Sequence, residues 1–210
     1  MKLKPDLVEA YVNRGATYAE KGDYDRAIKD FSKALKLNPN FAEAYTNRGA
    51  AYQRKGDYDR SIEDHNTAIK LKPDYILAYY NRGVSHAEKS DYDSAIKDYS
   101  VTIKLNPNDA QAYNNRGAAY YNQGKLELAI RDYNKTIKLD PDFADAYYNR
   151  GEVQLYLQEW KKAKDDLRTT QDMGINIIDA FHNDHKNIED FEERNDFKLP
   201  ANIAAMLAKQ

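Results

Sequence analysis

The stretch AEAYTNRGAAYQRKGDYDRSIEDHNTAIKLKPDY, Ala42 to Tyr75, decides the fold. Ala42 to Arg54 reads as one helix and Tyr58 to Leu71 as a second, with Lys55-Gly56-Asp57 between them. Gly56 suits the left-handed conformation that ends a helix. Asp57 suits the N-cap of the next helix, and the acid Asp59 lies near its positive dipole end. Pro73 stops the second helix, because the residue before a proline is pushed out of the helical region. Neither helix alone carries a broad apolar face, so the pair needs neighbours.

The neighbours are copies. Pro5, Pro39, Pro73, Pro107 and Pro141 are each 34 residues apart, and Gly15, Gly49, Gly83, Gly117 and Gly151 share that spacing. A fixed period of this size marks a repeat array, whose stability is a sum of units and interfaces. Five units fit: 8–41, 42–75, 76–109, 110–143 and 144–177. Residues 1–7 resemble the end of an earlier unit, with Leu3 matching Leu37 and Pro5 matching Pro39, and are expected to be either the remnant of a preceding repeat or a short lead-in. Residues 178–210 leave the repeat and are expected to form a C-terminal helical cap, or else to dock a partner or fold back on the groove: Ile177 to His182 finishes one helix, Asn183 or Asp184 caps another to about Arg194, and Pro200 opens a last one through Ala208.

The second unit places Tyr45, Arg48, Gly49, Tyr52, Ser61, His65, Ala68 and Pro73 at set offsets. The first places Tyr11, Arg14, Gly15, Tyr18, Ala27, Phe31, Ala34 and Pro39 at the same ones. Period and offsets together resemble the tetratricopeptide repeat family, with Tyr for Trp at the fourth position and Arg for Leu at the seventh. The fifth unit departs most, with Gln154, Leu167 and Ile175 in place of Tyr, Phe and Pro. The resemblance implies an all-α fold, a right-handed superhelical α-α solenoid of five helix pairs. It also implies a non-catalytic scaffold that binds partner proteins or peptides in a concave groove, lined by positions 2, 5, 6, 9, 12 and 13 of each first helix.

Composition agrees with such a scaffold and excludes other classes. The 210 residues carry a net charge of −2 and no cysteine, so there is no disulfide framework, no Cys zinc site and no Cys nucleophile. No apolar run approaches the ~18 residues of a membrane span, and the first residues lack a signal-peptide core, which points to a cytoplasmic protein. The balanced charge gives no drive toward nucleic acid or anionic lipid. Leu, Ile, Val and Phe number only 39 against 18 Tyr, so tyrosine is expected to supply much of the core. Thirteen tyrosines hold positions 4, 11, 17 and 24, where the family packs its helices, and Tyr75 closes a unit. Tyr80, Tyr121, Tyr148 and Tyr156 fall instead at groove positions.

Every unit carries Asn-Arg-Gly at positions 6 to 8. The glycine lets helices approach closely. The arginines Arg14, Arg48, Arg82, Arg116 and Arg150 need partners if buried, and each unit offers an aspartate at position 23: Asp30, Asp64, Asp98, Asp132 and Asp166. The asparagines Asn13, Asn47, Asn81, Asn115 and Asn149 fall where the family faces its groove. An amide that donates and accepts can bond the backbone of an extended peptide. The lysines with which some tetratricopeptide cochaperones clamp an acidic C-terminus are missing at positions 2 and 5. The groove positions hold six acids, Glu9, Glu20, Glu43, Glu88, Asp145 and Glu152, against one base, Arg54. The expected ligand is therefore an extended peptide, neutral or basic, and not nucleic acid.

No cofactor or metal is implied: His65 and His86 take packing positions, and His182 and His185 lack a further ligand set. Nor does any phosphate loop or nucleophile elbow stand out. Two other readings remain open at this stage. One is a self-assembly module that stacks end to end as a homo-oligomer, and the other is the adaptor region of a larger enzyme or multiprotein machine.

Overall fold

The computed structural model of the chain describes residues 5–208. Its elements are all helical: α1 (Pro5–Glu20), α2 (Tyr24–Leu37), α3 (Ala42–Arg54), α4 (Tyr58–Leu71), α5 (Ile76–Glu88), α6 (Tyr92–Leu105), α7 (Ala110–Asn122), α8 (Leu126–Leu139), α9 (Ala144–Tyr156), α10 (Trp160–Asp172), α11 (Ile177–Asp184), α12 (Ile188–Asn195) and α13 (Ala201–Leu207). No helix among the described residues is long and apolar enough to cross a membrane.

The turn chemistry works as the sequence proposes. Gly56 sits at φ +77°, and the Asp57 carboxylate accepts from the Arg60 N–H at 3.2 Å. Asp23 and Asp91 cap α2 and α6 in the same way. Among the described residues α1 is helical from Pro5 onward; residues 1–4 lie outside the described residues. One correction arises at the C-terminal end. In the tail, Asn187 rather than Asn183 or Asp184 caps α12, its side chain accepting from the Asp190 N–H at 2.7 Å, while Asp184 remains helical.

The chain forms two compact units, Met1–Asn115 and Arg116–Gln210, the division falling within α7. In the first, α1 pairs with α2, α3 with α4 and α5 with α6; α2 packs on α3 and α4 on α5. The first helices of these pairs also touch, α1 against α3 and α3 against α5. In the second, α9 packs between α8 and α10, α10 meets α11, and α11 meets α13.

Small residues make the interior. Ala44, Ala78, Ala112 and Ala146 recur at position 3, and Ala27, Ala95, Ala129 and Ala163 at position 20, all fully buried. One larger side chain per pair fills position 24: Phe31, His65, Tyr99, Tyr133 and Leu167. It lies against the glycine of position 8, so closely that a Cβ on Gly49 would come within 2.8 Å of the His65 ring and one on Gly117 within 2.7 Å of the Tyr133 ring. Tyrosine therefore contributes less to the core than its abundance suggests. Only Tyr99 and Tyr133 of the thirteen at packing positions are fully buried. Many of the others flank guanidinium groups, as Tyr45 does below Arg48 at 5.6 Å and Tyr52 below Arg60 at 4.5 Å.

The arginine–aspartate pairs form inside each helix hairpin, and they are bidentate. Arg48 Nε donates to Asp64 Oδ2 and its terminal nitrogen to Asp64 Oδ1, both at 2.7 Å. The same two bonds join Arg14 to Asp30, Arg82 to Asp98, Arg116 to Asp132 and Arg150 to Asp166. The third corner of the guanidinium reaches back to the preceding hairpin: Arg48 to the Ser32 hydroxyl at 3.0 Å, Arg82 to the Asn66 amide at 2.6 Å, and Arg150 to the Asn134 amide. Each of these arginines thus ties three helices with one side chain, using the planar fork that lysine lacks.

Candidate functional site

The face lined by positions 6, 9 and 13 of α1, α3 and α5 carries two neighbouring hollows. The first, a cavity of about 570 Å³, is walled by Ala16, Ala19, Glu20, Asn47, Ala50, Ala51 and Arg54, with Tyr24 and Phe31 from α2 behind them. The second, about 390 Å³, is lined by Gln53, Arg54, Tyr58, Tyr80, Asn81, Val84 and Glu88. Small alanines at positions 9 and 10 line the first and larger one; Val84 and Tyr80 line the second, which is the more polar. Arg54 belongs to both, as the last residue of α3, and makes no ion pair among the described residues.

The asparagines divide in two. Asn13 is exposed, Asn47 and Asn81 are half-buried, and among the described residues none of these three amides makes a side-chain hydrogen bond. Asn47 and Asn81 line the first and second hollow respectively. Asn115 is already engaged: its Nδ2 donates to the Tyr80 hydroxyl at 2.9 Å, and its Oδ1 accepts from Gln111 at 3.0 Å. That bond fixes the Tyr80 ring, which lies 6.0 Å from the Tyr99 ring. Asn149 is half-buried on α9.

In the second unit the tail packs on positions 5, 9 and 13 of α9. Tyr148 is 8% exposed and donates to Asp184 at 2.9 Å. Glu152, buried, accepts from Tyr121 at 2.9 Å and meets His185 Nε2 at 2.8 Å. Tyr156 packs against the rings of Tyr121, His185 and Phe191. Burial, reinforced by the Glu152 carboxylate, pushes the phenols of Tyr121 and Tyr148 far above the ordinary tyrosine value, so both stay neutral donors. Tyr121, Tyr148 and Tyr156 are therefore held by the chain itself, whereas in the first unit the hollows on α1, α3 and α5 are open. The sequence did carry a signal for this. Position 9 is Ala16, Ala50, Val84 and Ala118 in four units, and an acid in that small column at Glu152 asks for a buried partner.

No group of three or more metal-ligating side chains gathers among the described residues. The arrangement offers instead amides, exposed charges and small-residue hollows, the equipment of recognition.

A sequence profile described as "TPR repeat" matches residues 17–56, 86–124 and 119–158, and one described as "Tetratricopeptide repeat" matches 42–75. The chain belongs to the tetratricopeptide repeat family. No curated protein matches it in sequence. Among solved structures, MamA from Desulfovibrio magneticus RS-1 is 23% identical with a TM-score of 0.75, over 80% of this chain and 95% of that one. YrrB, described as a TPR protein with an unusual peptide-binding site, is 26% identical with a TM-score of 0.67, over 78% of this chain and 84% of that one. The first TPR of Spaghetti (RPAP3), bound to the HSP90 peptide SRMEEVD, is 28% identical with a TM-score of 0.56, over 57% of this chain and 94% of that one.

Proposed function

We propose that this protein is a non-catalytic interaction scaffold whose first unit holds an extended, non-acidic peptide segment of a partner protein across α1, α3 and α5. The observation that carries the reading is the pair of hollows with unengaged amides at Asn47 and Asn81 on either side of Arg54. Peptide binding by YrrB and by the RPAP3 repeat supports the mode. The RPAP3 peptide ends in acids, whereas here positions 2 and 5 of the three helices hold Glu9, Val12, Glu43, Thr46, Leu77 and Tyr80, with no lysine to receive them. Backbone-directed amides would each add about 0.5–1.5 kcal/mol. Several together give a sequence-tolerant clamp of micromolar strength, about −8 kcal/mol.

The test is binding of an arrayed peptide library to the full chain and to the variant with Asn13, Asn47 and Asn81 all changed to Ala. Neutral and basic peptides should outbind acidic ones, and the variant should lose about tenfold or more in affinity with its helical circular dichroism unchanged. Equal binding by the variant overturns the reading.

A further inference from the structure

The three first helices of the first unit end on charges of alternating sign. Glu20 closes α1, Arg54 closes α3 and Glu88 closes α5, all exposed. Arg54 shares one hollow with Glu20 and the next with Glu88. Among the described residues Glu20 and Arg54 are in no ion pair, and Glu88 accepts only the neutral Tyr58 hydroxyl, at 3.2 Å. Folding does not call for the two acids: a carboxylate on the last residue of a helix faces the negative end of its dipole, where a base is preferred. They contrast with the acids of position 23, each of which has its arginine.

We infer that this face reads a charge register, selecting a peptide with basic, acidic and basic side chains at every third residue. The inference rests on the groove reading above and adds the partner's pattern to it. Packed helices lie roughly 8–10 Å apart. A polyproline-II strand advances about 3.1 Å per residue with three residues per turn, so side chains three apart share one edge at about 9 Å spacing. One such edge puts a base opposite Glu20, an acid opposite Arg54 and a base opposite Glu88. Tyr24 and Tyr58 line the two hollows beside these acids and add aromatic surface for the basic side chains. The inverted pattern brings like charges together at all three places, which is the stronger half of the discrimination. The basic–acidic–basic pattern is the same in both chain directions, so the preference does not depend on which way the peptide lies.

Three fluorescein-labelled peptides test it by anisotropy with the full chain: one built on Lys-Pro-Ala-Glu-Pro-Ala-Lys, one on the inverted Glu-Pro-Ala-Lys-Pro-Ala-Glu, and one with Gln at all three charged places. The first should bind about tenfold tighter than the inverted peptide at low salt, and the gap should narrow sharply at about 0.5 M salt. The surface variant Glu20→Lys, Arg54→Glu, Glu88→Lys should reverse the order. A preference that survives this reversal, or equal binding of all three peptides with a loss on Asn47→Ala, overturns the register and leaves the groove. No binding by any of the three overturns the register, and the groove reading then stands or falls on the library alone.

Discussion

At the residue scale the oddest side chain is His65. It takes the place held by Phe31, Tyr99 and Tyr133 in other hairpins, is fully buried, and neither ring nitrogen finds a hydrogen-bond partner. Burial holds its pKa down at about 3. The unfolded chain takes that proton near ~6.5. Between those values the unfolded state binds more protons than the folded one, so stability is full above the upper value and falls as pH falls toward the lower. The hole is the right shape for a benzyl ring, since Phe31 lies over Gly15 at the same 2.8 Å Cβ distance as His65 over Gly49. His65→Phe should therefore raise stability by about 1 kcal/mol or more at pH 7, removing two unsatisfied nitrogens. The gain should grow between pH 6.5 and pH 5. Urea titrations of both chains at these pH values decide it, and a pH-independent difference would mean that the folded ring protonates normally. The sequence alone shows His65 at a packing position; it does not show that nothing nearby bonds it, because that depends on three helices at once.

At the scale of elements the sequence is most legible where the physics is local. The bounds of α3 and α4 follow from Gly56, Asp57 and Pro73, each acting on its own turn. The bidentate Arg–Asp pairs are legible too, because a base and an acid repeat at a fixed separation of 16 residues. The reach of the same arginines to Ser32, Asn66 and Asn134 was missed, since position 25 varies in type, Ser or Asn in the first four units and Arg168 in the fifth. The tail was least legible: Tyr148 meets Asp184 and Glu152 meets His185 outside any period, so spacing says nothing of them. Departures from the local rule expose weak elements. The turn between α5 and α6 puts Ser90 at φ 60°, where Gly22, Gly56 and Gly124 stand in corresponding turns. A side chain there is strained by roughly 1–2 kcal/mol, less what glycine loses in the unfolded chain. Ser90→Gly should therefore stabilise by about 0.5–1 kcal/mol, seen as a rise in Tm of a few degrees. A fall in Tm would show that the serine side chain holds the turn by a contact worth more than the strain.

At the scale of the whole molecule the low count of large aliphatics has its cause in alanine columns, which let thin helices pack closely with one large side chain per hairpin. A core built that way is shallow and divided, and the division of the chain into two compact units follows the same logic. The second unit differs in carrying the tail, whose Phe181, Phe191, Ile203 and Leu207 join Leu155, Leu167 and Tyr148 in one buried cluster. Tail and last repeat should therefore share their stability, while the first unit should not depend on either. Phe191 is fully buried, packed against Tyr156, Phe181 and His185. Phe191→Ala should remove about 3–5 kcal/mol. In an array of nearest-neighbour units that loss stays where it is made. Hydrogen exchange followed by mass spectrometry should show faster exchange in α9 to α13, with α1 to α4 as protected as in the parent chain. Equal acceleration from α1 to α13 would mean that all the described helices open as a single cooperative body, and that the face on α1, α3 and α5 is held in shape by the tail as well as by its own hairpins.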